Sequence, residues 1–151
     1  MSEPSSPGAG TLQDGVHWLP VRVYWEDTDA GGIVYHANYL KYMERGRSDM
    51  LRLLGVDQMV MMEGENRLTF AVRSAHIDYL RSARLDDALV VKTTPTKLGG
   101  ASIQVVQEVL RDGDCLVRGE LKIAIVNEQG RAVRLPRPLH ATLSSLNQAP
   151  D

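Results

Sequence analysis

The run Val21-Arg-Val-Tyr-Trp-Glu-Asp-Thr-Asp-Ala-Gly-Gly-Ile-Val-Tyr-His-Ala-Asn38 decides how this chain is read. Val21–Trp25 is a short apolar strand, and Glu26–Gly32 is an acidic loop whose paired glycines, Gly31 and Gly32, break regular structure. The longest helical pattern in the chain follows. Between Ala37 and Leu54, Tyr39, Tyr42, Met43, Gly46, Met50, Leu53 and Leu54 recur at spacings of three and four, which draws one apolar stripe along a helix. Lys41, Glu44, Arg45, Arg47, Asp49 and Arg52 make up most of the charged remainder. Gly46 sits on the stripe, where a missing side chain lets another backbone come close. Asn38 is the expected N-cap and Gly55 the expected stop.

Beyond the helix the period changes. Residues 56–66 are Met-rich and then polar, a short helical turn and loop. Leu68, Phe70 and Val72 alternate with other residues, and Ala75, Ile77 and Tyr79 alternate in the opposite phase, so a bulge is expected at Arg73–Ser74. Asp86–Asp87, Gly99–Gly100 and Asp112–Gly113 punctuate three further strand-like runs that end near Val126, and Asn127–Gly130 is a turn. The order of strand, long helix and about four antiparallel strands gives an α+β fold, with one helix buried against one curved sheet. Residues 1–17 are rich in Ser, Pro and Gly and read as a disordered tail. One domain spans residues 18–140, and 141–151 read as a C-terminal tail.

With 151 residues and a formal charge of −2, the chain has no general attraction for nucleic acid or anionic membrane. No apolar run approaches the ~18–20 residues of a membrane span, and the N-terminus lacks a secretory pattern, so a soluble cytoplasmic protein is expected. The single cysteine, Cys115, lies in an apolar strand and reads as a buried, inert thiol.

The acidic loop carries the chemistry. As a calcium loop starting at Asp27 it fails, with Gly31 at the fifth position, Asn38 at the twelfth and no preceding helix. As an aspartyl phosphotransferase motif it lacks the repeated strand–helix crossovers. Two readings remain at this level. In one, Asp27 and Asp29 only hold the turn. In the other, Asp29 acts on an acyl group beside a helix N-terminus, whose free backbone N–H groups stabilise an oxyanion.

The motif Asp27-Thr-Asp29-Ala-Gly-Gly-Ile-Val-Tyr-His-Ala-Asn-Tyr39, with Tyr42-Met-Glu-Arg-Gly-Arg-Ser48, Phe70-Ala-Val-Arg73 and Tyr79-Leu-Arg-Ser-Ala-Arg-Leu-Asp-Asp87, closely resembles the hotdog-fold acyl-CoA thioesterases. Within them it is most similar to the Tol-Pal-associated branch, relatives of bacterial hydroxybenzoyl-CoA thioesterase. The resemblance covers most of residues 20–126. It implies a long central helix wrapped by a five-stranded antiparallel sheet, and a homodimer or homotetramer with sites at the subunit interface. It also implies Asp29 as the acting carboxylate and a helix-start amide near His36. The substrate implied is an acyl-CoA, or an acyl group on acyl carrier protein, with no cofactor and no metal.

Around that centre, Gly32, His36 and Asn38 are the expected oxyanion donors, and the His36 imidazole either orients substrate or merely packs. Trp25 and Tyr35 are candidates to line an acyl pocket. Arg73, Arg81, Arg84 and Lys97 are candidates for the CoA phosphates, although Lys97 stands two residues before Gly99 where relatives carry a basic residue next to the turn glycine. Glu44 is the reserve acid, and a His36–Glu44 pair is what an enoyl-thioester hydratase would need. A non-catalytic module binding acyl carrier protein is the rival from another class. His17 reads as tail, His140 as surface and His76 as an ordinary sheet residue.

Overall fold

Alternating burial along the strands shows which face of the sheet is covered. The computed structural model describes residues 8–147. In β5 (Ser102–Arg111), Ile103, Val105, Gln107 and Val109 point inward, and in β6 (Asp114–Val126) Leu121, Ile123 and Ile125 do the same. They join β1 (Thr11–Gln13), β2 (Val16–Arg22), β3 (Thr69–Tyr79) and β4 (Ala88–Leu98) in one antiparallel sheet of order β1-β2-β4-β5-β6-β3. The β3 register shifts between Val72 and Ser74, where the sequence phase flips. Asp112 and Gly113 both take positive φ, 52° and 85°, the geometry a two-residue hairpin needs.

Helix α1 (Asn38–Leu53) lies on the covered face, burying Tyr42, Met43, Gly46 and Met50. A Cβ at Gly46 would stand 3.1 Å from Val91 Cγ1 and 3.2 Å from Thr93 Oγ1, so the glycine is the point of closest approach between helix and sheet. Beside it, the buried Gln107 amide donates to the Met43 carbonyl and to Thr93 Oγ1, both at 2.8 Å. Gly55 takes φ +82° and ends the helix as expected. The N-terminus differs: Ala37 is the cap residue and Asn38 is already helical. The strand anticipated at Val21–Trp25 is instead the end of β2, and Trp25–Asp27 form a single 3-10 turn. A short helix, α2 (Gln58–Met61), follows α1.

Three expectations are corrected. The sheet has six strands, not five, because the chain before residue 18 contributes. Residues 1–7 lie outside the described part, but β1 and β2 turn on Asp14–Gly15 (φ 53° and 77°), and His17 is fully buried. His17 Nε2 meets Asp49 Oδ2 at 2.7 Å, and the Gly10 N–H donates to the same oxygen at 2.8 Å. Asp49, one of the charged residues of the helix, is therefore the anchor of the N-terminal hairpin. The C-terminal tail is shorter than expected as well. Helix α3 (Arg137–Ser144) and the turn after it place Leu143 and Leu146 in the core, while residues 148–151 lie outside the described part.

Truncating His17 leaves a cavity and takes a hydrogen-bond partner from the buried Asp49 side chain, so His17→Ala should lower unfolding stability by about 3 kcal/mol. Urea denaturation measures it; a loss under about 1 kcal/mol would mean the hairpin is not held by this pair.

Candidate active site

The loop before α1 is built around Asp27, not Asp29. Asp27 is buried, and its Oδ2 accepts the Tyr24 N–H at 2.9 Å, closing the 3-10 turn. Its carbonyl accepts from the Tyr35 N–H at 2.9 Å and from Asn38 Nδ2 at 2.8 Å. These bonds pin the strand exit to the helix entry. Burial, with the Asp27 carboxylate beside it, pushes the Tyr42 hydroxyl well above the usual phenol range, so it stays protonated.

Between the pinned ends, residues 28–34 form a tight reversal closed by a Thr28–Val34 bridge. Asp29 N–H donates to Ile33 O at 2.9 Å, and Gly32 N–H, at φ +83°, returns to Asp29 O at 3.0 Å. Asp29 Oδ1 accepts from Gly31 N–H at 2.8 Å. Its Oδ2 has no hydrogen-bond partner among the described residues, and the side chain is exposed in the single chain. Asp29 thus does what a turn-holding aspartate does and still keeps one oxygen free.

The helix start selects among the three expected amide donors. Gly32 N–H is spent on Asp29 O and Asn38 N–H on Tyr35 O at 2.8 Å, so neither is free to meet an oxyanion. His36 N–H, with that of Ala37 after it, finds no backbone acceptor among the described residues, as the orphan donors of a helix start should.

The His36 side chain is exposed and flanked by aromatic rings, Tyr35 at 4.5 Å and Tyr79 at 6.1 Å between centroids. Tyr79 Oη donates to the His36 carbonyl at 3.2 Å, and the Tyr39 hydroxyl accepts from Ala83 N–H at 3.0 Å. Tyr79 was the missed neighbour. Its only signal is its place as the last residue of β3, facing the helix entry.

The basic candidates disperse. Arg84 is closest, since its backbone bridges Ile33. Arg81 is exposed and lies 3.6 Å from Asp114. Arg73 sits at the β3 bulge, roughly 20 Å along the strand from Tyr79. Lys97 is nine residues beyond Ala88 on β4, about 30 Å from the end that meets the site, and does not join it within one chain. Trp25 is 80% exposed, against a recess with Leu85 and Asp86, and Tyr35 is 47% exposed. Glu44 accepts from Ser48 Oγ at 2.7 Å and stands eight residues past His36, about 12 Å along the helix, so the two do not form a pair in one chain. Cys115 is half-buried, and burial pushes its thiol pKa up, with Glu108 adding to the rise. His76 is exposed beside Asp78, and His140 is half-buried against Ser144. No cluster of three or more His, Cys, Asp or Glu with metal-ligand geometry occurs among the described residues.

Asp87 ties the loop to the sheet, its carbonyl accepting from Val23 N–H at 3.0 Å. Burial alone would raise its carboxyl pKa, but the Arg84 N–H and the Arg111 guanidinium at 2.8 Å outweigh burial and hold it below the usual range. A lowered carboxyl pKa stabilises the fold above the unfolded value and ceases to as pH falls through the folded one. The stability gap between the parent and Asp87→Asn should therefore be full above about pH 4 and close as pH drops further. Chemical denaturation across pH 2–6 checks it; a gap that stays constant would remove Asp87 from this role.

Comparison with known proteins places the arrangement. The family model "Thioesterase superfamily" matches residues 31–117. The chain is 41% identical over 129 residues to an acyl-CoA thioesterase, YbgC, of Haemophilus influenzae, covering 85% of this chain and 94% of that protein. A probable thioesterase from Bartonella henselae superposes with TM-score 0.77 at 40% identity, covering 80% of this chain and 99% of the other. A 1,4-dihydroxy-2-naphthoyl-CoA thioesterase from Synechocystis shares the fold at TM-score 0.79 and 19% identity, over 88% and 98% of the two chains. The chain belongs to the thioesterase superfamily and has its hotdog fold.

Proposed function

We propose that Asp29 is the acting carboxylate of an acyl-CoA thioesterase, and that the His36 backbone N–H receives the oxyanion at the start of α1. The family is one of thioesterases, and relatives at 41% identity are acyl-CoA thioesterases. The observation supporting the residue roles is a donor left unclaimed at a helix start, close in the chain to a carboxylate with one free oxygen. A thioester carbonyl is more electrophilic than an amide, because sulfur donates to it weakly. A carboxylate then suffices where a protease needs an activated serine. Asp29 either attacks, giving a mixed anhydride that water cleaves, or takes a proton from the attacking water. Both routes place negative charge on the carbonyl oxygen, where the His36 N–H and the positive end of the α1 dipole act. The His36 imidazole, held between Tyr35 and Tyr79, orients water or the acyl sulfur. No step requires a cofactor.

The working unit is a homodimer or a pair of dimers. Strand β3 is eleven residues long and lies at the sheet edge, with Val72 and Tyr79 about half exposed. A long sheet edge left bare presents unpaired backbone groups, and pairing with a second copy satisfies them. Of the basic residues, we assign Arg84 and Arg81 to the CoA phosphates because they stand nearest the loop in the chain's fold, and an acyl carrier protein remains the alternative donor of the acyl group. Among the described residues no helix is long and apolar enough to cross a membrane, and the proposed location is the cytoplasm.

Asp29→Asn should lower kcat on acyl-CoA by at least about a hundredfold without lowering the melting temperature. Release of free CoA thiol from an acyl-CoA panel measures it, and parent-like rates in the variant would take Asp29 out of the reaction.

A further inference from the structure

A cavity of about 100 Å3 opens between α1 and the sheet, away from the Asp29 loop. Its apolar lining includes Leu51, Ile103, Val105, Ile123 and Leu143, with Ala71 and Val72 of β3. An apolar cavity of similar size, about 150 Å3, holds a benzene ring, so this one suits a short acyl chain or a single ring.

One charged residue in its wall is unusual. Arg47 is half-buried, and its Nη1 donates to the buried Gln107 Oε1 at 2.9 Å. Glu44 also lines the cavity, but no carboxylate among the described residues lies within salt-bridge distance of the guanidinium. A guanidinium has five N–H donors, and the structure uses one. Burial lowers the Arg47 pKa and Glu44 only partly restores it, which marks the same shortage of partners.

A second copy paired along β3 would bring this cavity to the catalytic corner. If β3 pairs with itself antiparallel about an axis near its midpoint, Ser74, residues whose numbers sum to about 148 face each other. Tyr79 then lies beside Thr69 of the other copy, and the His36 corner that Tyr79 contacts sits over the Phe70–Val72 end, whose residues line the cavity.

We propose that this cavity receives the acyl group of a thioester held at the other copy's Asp29 and His36, and that Arg47 selects a short acyl chain ending in a carboxylate. The proposal rests on the thioesterase reading above and on the β3 pairing. It names Arg47 as a specificity residue that touches the far end of the substrate and takes no part in bond breaking.

Two inert CoA thioethers test it, S-(4-carboxybutyl)-CoA and S-hexyl-CoA, with binding followed by calorimetry and by methyl NMR. On the parent the carboxylate ligand should bind at least about tenfold tighter, with the Ile103, Ile123 and Leu143 methyl resonances shifting. Arg47→Met should erase that preference, and Arg47→Lys should keep part of it. Equal affinity for the two ligands on the parent, an unchanged preference in Arg47→Met, or methyl resonances that stay still would each overturn the proposal. Should Arg47→Met not fold, Ala71→Phe crowds the mouth instead and should weaken both ligands at least tenfold; unchanged binding there overturns it equally. Asp29→Asn separates the two readings. If that variant hydrolyses acyl-CoA like the parent while the Arg47-dependent preference persists, the catalytic assignment fails and the acyl pocket stands.

Discussion

The Asp27 carbonyl is the hinge of this molecule. It accepts from the Tyr35 backbone and from the Asn38 side chain, while the carboxylate of the same residue accepts from Tyr24. One residue thereby joins the exit of β2, the acidic reversal and the first turn of α1. Losing these bonds would leave buried polar groups unsatisfied, each worth about 1–3 kcal/mol, and would free the helix entry to drift. The position of the His36 N–H depends on that entry. Asp27 and Asp29 stand two residues apart and divide the work: the first is buried and used up by the fold, the second is exposed and holds one oxygen in reserve.

The sheet sets where that entry points. Gly46 lets α1 settle within van der Waals distance of Val91 and Thr93, and Gln107 ties the helix backbone to the central strands. At the far end the His17–Asp49 pair closes the hairpin of β1 and β2 onto the same helix. A helix fixed at its middle, its end and its entry has little freedom to roll. The oxyanion role proposed for the amide at its N-terminus needs that constraint, because a donor misplaced by an ångström loses most of its effect.

Much of this was legible in the residues. The helix stripe, its Gly46, the Gly55 stop, the bulge at Arg73–Ser74 and the Asp112–Gly113 turn each have a local cause, and local causes survive folding. The N-terminus was misread because composition outweighed pattern. Asp14–Gly15 is the same dipeptide as Asp112–Gly113, flanked by Leu12 and by Val16 and Trp18, and it makes the same kind of hairpin. Burial of His17 had no local sign, since its partner is 32 residues away on α1. The site was legible as a motif but not as a hydrogen-bond ledger. Three donors were named, and only the fold shows that two of them are already occupied. The dispersal of Lys97 and Arg73 follows from strand length, which spacing in sequence does not convert into distance from a loop.

An exposed carboxylate is well solvated, and water held around it must be displaced before it can attack or take a proton. Solvation also weakens any electrostatic help from a backbone N–H, since the interaction of two charges falls as the local dielectric rises. If Asp29 is the acting carboxylate proposed above, its free Oδ2 becomes more reactive when something covers it. Tyr35, Tyr79 and Leu80, each about half exposed, stand at the helix entry and the adjoining end of β3. Apolar surface at that place favours burial by a substrate or by a second copy, and whichever covers it lowers the dielectric around the carboxylate at the same moment. Binding and activation then become one event. Under the proposed role of Asp29, an acyl group that fills the covered site drives out the water around its carboxylate, while one that leaves the site open leaves that carboxylate solvated.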